Sequence, residues 1–201
     1  MKTLKSVVPK MIGFFLIMMI ITSVIYPAAV TAAANAAFGD RASGSVITGR
    51  DGKKYGSALL AQEFTGDRYL WGRIMNVDTG TFTGRDGEPL MYAGASNKSP
   101  AGEELEAMVA ERVERIRTAH PEKGDAPIPV DLVTCSGSGL DPEISPAAAD
   151  YQAERIAAAR DMSVEDVEKV IAEYTTGRLL GVMGEPRVNV LKVNLALDGL
   201  I

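Results

Sequence analysis

Residues 11–30 read MIGFFLIMMIITSVIYPAAV, twenty positions without a charge, and the next charged residue is Asp40. No other stretch restricts the chain as much. A helix needs about 20 mostly apolar residues to cross a bilayer's hydrocarbon core. In lipid, only a helix or a closed barrel satisfies every backbone N–H and C=O. Ten of the twenty residues are Leu, Ile, Phe or Val, each favouring insertion near the bilayer centre by about 0.3–0.6 kcal/mol. The side chains assigned to this anchor are Met11, Phe14, Phe15, Ile17, Ile20, Ile21, Val24 and Tyr26. Lys2, Lys5 and Lys10 precede it with no acid among them. Flanking lysines stay cytoplasmic, so the long remainder is expected outside. The expected plan is a cytoplasmic segment over 1–10, a single transmembrane helix over 11–31 and an extracytoplasmic domain over 32–201, in the cell (inner) membrane.

A cleaved signal peptide is the rival reading. The densest apolar run, Met11 to Ile21, is short, and small residues follow at Ala32, Ala33, Ala34, Ala36 and Ala37. A basic start, a short apolar core and an Ala-x-Ala site make a secretory signal. Against it, apolar character resumes at Val24, Ile25 and Tyr26 and continues to Val30, beyond an ordinary signal core. Either way the body of the chain is expected outside the cytoplasm.

That body is long enough for one domain with its own core. The chain's net charge is −5; the three leading lysines contribute +3, and residues 11–39 nothing, which leaves −8 on the rest. An acidic domain is no partner for nucleic acid. The single cysteine, Cys135, cannot form an internal disulfide, and it reads as a small packed residue rather than a nucleophile. The lone His120, before Pro121, has no Cys or second His near it for a metal site and reads as a surface residue.

The pentapeptide Thr-Gly-Arg-Asp-Gly occurs twice, ending at Gly52 and Gly87. The flanks differ, so it reads as a reused turn sequence rather than a domain repeat. Residues 74–98, rich in Gly, Thr, Asn and Asp, read as loops with little regular structure. Ser99-Pro100, Ser145-Pro146 and Ser163 each offer a hydroxyl N-cap to a following helix. The first helix carries Leu105, Val109, Val113 and Ile116 on one face and ends by Pro121. The second runs to about Arg160 with a small-residue face of Ala149, Ala153, Ile156 and Ala157. The third spans Val164 to Tyr174. Val130 to Thr134 reads as a strand. Val188 to Leu197 reads as a last strand with one buried face and a bulge at Val190–Leu191. The expected class is α+β, one sheet with about three helices beside it.

The most tempting site is Ser136-Gly137-Ser138-Gly139, with Asp141 beyond it. It follows the expected strand and precedes a helix, where backbone N–H groups can hold an anion. The phosphate-loop pattern, however, needs Lys then Ser or Thr after its last Gly. Leu140-Asp141-Pro142 stands there instead, and Asp141 repels phosphate. Gly-x-Ser-x-Gly is also absent. A structural turn is the better reading. No catalytic residue and no metal site are assigned.

Several longer stretches carry a resemblance. They are Tyr69-Leu-Trp-Gly-Arg73, the block from Asp131 through Ser136-Gly-Ser-Gly-Leu-Asp-Pro to Pro146, and Leu180-Gly-Val-Met-Gly-Glu-Pro-Arg-Val-Asn-Val190, with Asn194-Leu-Ala-Leu-Asp198 and Tyr26-Pro27. Together they resemble the C subunit of the Kdp potassium-transporting P-type ATPase over nearly the whole chain. The resemblance implies one uncleaved transmembrane helix and a domain on the outer face. It implies three partners in the same complex: a channel-like potassium-translocating subunit, a P-type ATPase subunit that hydrolyses ATP, and a small stabilising subunit. It also implies a role as catalytic chaperone raising the pump's ATP affinity, so ATP is the one nucleotide it brings into view, and potassium is the cargo of the complex. The chain departs from the family pattern at Glu143, usually His, and at Cys135, usually Ala. A Gly-Ser-Asn-Leu-Gly-Pro-type motif survives only as Ala95-Ser-Asn-Lys-Ser-Pro100. The alternative function is an exported soluble binding or hydrolytic domain released by signal cleavage.

Overall fold

The computed structural model describes residues 2–201; Met1, and the side chains of Lys2, Thr3 and Leu4 in the expected cytoplasmic segment, lie outside the described residues. The chain divides into two units, residues 1–46 and 47–201.

The first unit is a helical run: α1 (Lys2–Ile20), a π-helical turn at Ile21–Ile25 and α2 (Tyr26–Ala42). The wider turn has a local cause. Pro27 carries no N–H, and its ring crowds the carbonyl four residues back. Widening the helix just before it, with Tyr26 N–H reaching Ile21 O, accommodates that loss. Thr22 Oγ1 donates to Met18 O at 2.8 Å, so the hydroxyl within the apolar run is satisfied by the helix itself. Among the described residues, one helix, Lys5–Ala42, is long and apolar enough to cross a membrane. Its helical run extends past 11–31 at both ends, and all eight side chains assigned to the anchor are exposed.

The second unit is α+β. The hairpin β1 (Val46–Thr48) and β2 (Lys54–Ser57) is followed by a second one, β3 (Val77–Thr83) and β4 (Pro89–Ala93). The repeated pentapeptide makes both turns in the same way. Gly49 N–H donates to Lys53 O at 2.9 Å and Gly84 N–H to Glu88 O at 2.8 Å. Asp51 Oδ1 accepts from Lys53 N and Asp86 Oδ1 from Glu88 N. Gly52 and Gly87 take the positive φ that the turn requires, 77° and 85°. Residues 74–98 are therefore not the irregular loops expected: they hold an antiparallel hairpin. Its strands are almost wholly exposed, so the core-facing alternation that marks a strand in sequence is missing.

Helix α3 (Glu103–Ala119) buries Ile116 and begins with Glu103, Glu104 and Glu106 at its positive end. Its N-cap is Gly102, not Ser99; Ser99 Oγ instead accepts from Ala101 N in a turn before the helix. Val130–Leu132 is a 3-10 turn, not the strand expected. Pro129 leads into it, Asp131 Oδ2 is engaged by Ser145 N–H at 2.8 Å, and only a single bridge, Cys135 to Ile74, has strand character.

Strand β5 (Glu143–Ile144), helices α4 (Pro146–Asp150), α5 (Ala153–Arg160) and α6 (Val164–Glu173), strands β6 (Thr175–Thr176) and β7 (Arg187–Asn189) and helix α7 (Val190–Leu197) complete the unit. The sheet order is β5-β7-β6, antiparallel throughout. Ser145 and Ser163 cap α4 and α6 as expected, accepting from Ala148 N and Asp166 N. The expected second helix is two. Gln152 Nε2 donates to Ala148 O, the carbonyl its own N–H would use in a continuous helix, and that N–H turns to Ala149 O.

The expected last strand is also corrected. Val190–Leu197 is helical, with Asn189 Oδ1 accepting from Lys192 N at 3.0 Å as its cap. The residue that broke the two-residue alternation, Val190, belongs to the helical face of Val190, Val193, Asn194 and Leu197. Leu70, Trp71, Ile116, Leu132, Ile144, Ile156, Val167, Val188 and Val193 form one core with Ala148, Ala149, Ala153 and Ala157 between them. The alanines let the helix pair α4–α5 approach closely.

Candidate functional site: the Ser136–Gly139 loop and its arginine scaffold

Residues 66–73 have no regular secondary structure; the stretch passes from the exposed Gly66, Asp67 and Arg68 into the core, where Leu70 and Trp71 are buried. A buried backbone segment must find partners for its N–H and C=O groups, and here side chains supply them. Asn194, buried on α7, accepts from Leu70 N at 2.7 Å and donates to Leu70 O at 2.9 Å. Gln152, equally buried, accepts from Trp71 N at 2.9 Å and donates to Trp71 O at 3.0 Å. Two amide side chains thus replace a neighbouring strand.

Arg155 gathers the rest. Its guanidinium donates to Tyr69 O at 3.0 Å, to Gln152 Oε1 at 2.8 Å and to Asp67 O, and it lies 4.3 Å from the Trp71 ring centre. Burial brings its pKa down to about 10, which still leaves it charged at neutral pH. Arg155 Nε also donates to His120 Nε2 at 3.0 Å. That bond fixes the histidine's tautomer: Nε2 accepts, so Nδ1 carries the proton and donates to Ile116 O at 2.7 Å. His120 is therefore not the surface residue expected. It is 1% exposed and sits among Trp71, Tyr151 and Arg155. Burial, with the Arg155 charge beside it, holds its pKa below the ordinary histidine value.

The segment ends at Arg73, which ties it to the tempting loop. Arg73 Nη2 donates to Cys135 O at 3.1 Å, and Nη1 faces Asp141 at 3.5 Å and Asp131 at 4.0 Å. The loop itself is closed. Ser136 is buried, and its Oγ accepts from Gly139 N at 3.0 Å. Ser138 Oγ accepts from Leu140 N at 3.2 Å. Gly139, at φ 68°, has no room for a side chain: an added Cβ would stand 2.5 Å from Gly94 O and 2.7 Å from Asn76 O. Gly139 O accepts from Asn76 N, Leu140 O from Ala61 N, and Pro142 O from Val190 N. Asp141 Oδ1 accepts from Glu143 N. Gly137 and Ser138 remain exposed. The structure thus brings Ser136, Gly139 and Asp141 together with Arg73 as a junction between the two halves of the domain. It does not gather the loop's N–H groups around an open cradle.

Cys135 is half-buried; burial pushes its thiol up, but hydrogen bonds from Ser96 and the Arg112 charge bring the net pKa below the ordinary value. Among the described residues, no group of three or more His, Cys, Asp or Glu side chains is placed to hold a metal ion. Sequence reasoning missed Gln152, Asn194, Arg155 and the role of Arg73. Polar residues inside apolar helical faces, as Asn194 stands among Val190, Val193 and Leu197, were the available signal.

The family described as KdpC, K+-transporting ATPase, c chain, matches residues 8–199. The chain is 53% identical over 201 residues, the whole of both chains, to the Potassium-transporting ATPase KdpC subunit of Clostridium botulinum (strain Eklund 17B / Type B). It is 55% identical over 196 residues, 98% of each chain, to the protein of the same name from Clostridium perfringens (strain ATCC 13124). It is 43% identical over 199 residues, 97% of each, to that of Paraburkholderia phytofirmans (strain DSM 17436).

Proposed function

The chain belongs to the KdpC family, the c chains of K+-transporting ATPases, and from that premise we propose that it is a non-catalytic subunit of an ATP-driven, high-affinity potassium-uptake complex. The observation that carries this reading is a likeness running the full length of both chains to relatives named as subunits of that ATPase. Its proposed partners are a channel-like subunit that translocates potassium, a P-type subunit that hydrolyses ATP and a small stabilising subunit. The Lys5–Ala42 helix is the proposed anchor. The lysines before it favour a cytoplasmic amino terminus and an extracytoplasmic domain.

The resemblance brings a further role, raising the pump subunit's affinity for ATP. With the domain outside the cytoplasm, that effect is indirect: the subunit stabilises the assembled pump conformation that binds nucleotide, rather than lending the Ser136–Gly139 loop to ATP. The closure of that loop by its own hydroxyls and by Arg73 favours this account.

The test is purification through a tag on this chain from potassium-starved cells. Co-purification of the larger membrane subunits with potassium-stimulated ATPase activity is expected, and recovery of a lone soluble domain would overturn the proposal. Sidedness is read separately. Asp125, fully exposed, is replaced in a Cys135→Ala background as Asp125→Cys. A membrane-impermeant maleimide should label it in intact cells. Labelling only after lysis would place the domain inside and make direct nucleotide contact the natural account.

A further inference from the structure

One cavity of the second unit, about 100 Å³, is walled by Trp71, Arg73, Arg112, Arg115, Ile116 and Glu63 among others. Three guanidinium groups converge on it in a domain whose overall charge is negative. Their pairing is uneven. Arg73 spends its terminal nitrogens on Asp131, Asp141 and Cys135 O, but its Nε is buried and has no hydrogen-bond partner. Arg112 is half-buried, donates one bond, from Nη1 to Val133 O at 3.1 Å, and its pKa is lowered by that burial. Arg115 lies 4.9 Å from the Trp71 ring centre. Among the described residues, neither Arg112 nor Arg115 has a carboxylate within ion-pair distance.

The half-buried Arg112 cation is costly unless compensated, and a buried polar atom without a partner, as Arg73 Nε is, is uncommon. Arg115 is exposed and carries no such cost, but stands over Trp71 with its guanidinium open to a ligand. Arginines without matching acids, as Arg112 and Arg115 are among the described residues, form the arrangement that recognises carboxylate and phosphate oxygens through paired N–H donors. Glu63 is exposed and forms no ion pair with these arginines. The cavity's volume suits one small oxyanion group rather than a nucleoside.

We propose that the cleft between residues 71–75 and α3 is a binding site for a phosphate-type oxyanion, held by Arg112 and Arg115 with the free Nε of Arg73. The site is separate from the Ser136–Gly139 loop, but Arg73 belongs to both. An anion there neutralises the charge of Arg112 and Arg115, which the described residues leave without a carboxylate partner, gives Arg73 Nε an acceptor, and stiffens the junction holding residues 131–141.

The chain carries a reporter, since Trp71 is its only tryptophan and forms a wall of the cleft under Arg115. The full-length protein in detergent is titrated with inorganic phosphate against chloride at constant ionic strength, and Trp71 emission is followed. A saturable change is expected. In Arg115→Gln, and in Arg112→Gln where it folds, the midpoint should rise about tenfold, as losing a charge-assisted hydrogen bond implies. Glycerol 3-phosphate titrated the same way distinguishes the source: saturation by the monoester as well assigns the site to a phosphate borne on a larger molecule, and saturation by phosphate alone to the free anion. Either supports the site. A response that never saturates, or a midpoint unchanged in Arg115→Gln, overturns it.

Discussion

At the scale of single residues, the domain depends on a few polar side chains placed where hydrophobic ones are the rule. Gln152 satisfies Trp71 N–H, Trp71 C=O, Ala148 C=O and one arm of Arg155 at once. Truncating it leaves buried groups unpaired, each costing about 1–3 kcal/mol. Gln152→Ala should therefore lower the domain's stability by roughly 3 kcal/mol or more, a fall in Tm on the order of 10 °C. Thermal unfolding followed by Trp71 fluorescence measures it, and a change of only a degree or two would mean that the amide does not replace a strand. His120 gives a pH dependence whose sign follows from its burial. Its folded pKa lies below the unfolded value of about 6.5. As pH falls below that value the unfolded chain takes up the proton first, so the contribution is complete above pH of about 6.5 and declines beneath it. The groups facing the ring, Arg155, Lys123 and Glu122, do not reverse this, because burial is the largest influence. Comparing Tm at pH 7.5 and 5.5 in wild type and His120→Asn should show a smaller loss in the variant.

At the scale of elements, what could be read in the sequence depended on where each element's information lies. Helix starts with their own hydroxyl cap, Ser145 and Ser163, were legible because the signal is local. The Thr-Gly-Arg-Asp-Gly turns were legible for the same reason, since Asp and Gly specify the turn within five residues. Val190–Leu197 was not, because a short, strongly apolar run satisfies a two-residue and a helical period alike, and Asn189 decides between them. Val130–Leu132 is a turn despite its apolar residues because Leu132 alone is buried, Val130 is exposed and, among the described residues, no strand pairs with them. The Ser136–Gly139 loop was legible as a turn, but its reason was not: it lies in Arg73, Asn76 and Gly94, all far away in sequence. That reason yields a contrast. Gly139→Ala combines a positive φ with a clash against Gly94 and Asn76 backbone and should destabilise by about 2 kcal/mol or more. Ser138→Ala removes two long bonds, to Leu140 N and Ser136 Oγ, from an exposed residue and should cost about 0.5 kcal/mol. Potassium-limited growth should follow the same order. Equal growth defects at normal stability would instead point to a contact made by the serine.

At the scale of the whole molecule, the α+β class was legible from the mixture of capped helices and short apolar runs, although after α2 five α-helices and three small sheets stand, among the described residues, where one sheet and about three helices were expected. The amino-terminal unit separates the two functional readings most directly. A released domain requires cutting near Ala32–Ala37, and a protease must take such a site in extended form. In this chain those alanines lie inside α2, which continues to Ala42 with its only departure from helical geometry at Phe38. Alanine is the best helix former of the common residues, so unwinding the segment is opposed by local preference as well as by continuity with the apolar run. The membrane-extracted protein should therefore retain its amino-terminal helix, with an intact mass near 21.4 kDa. Recovery of a soluble chain beginning after about Ala34 would show that the helix serves only for export, and the potassium-pump assignment would then need a partner that holds the domain without a tether.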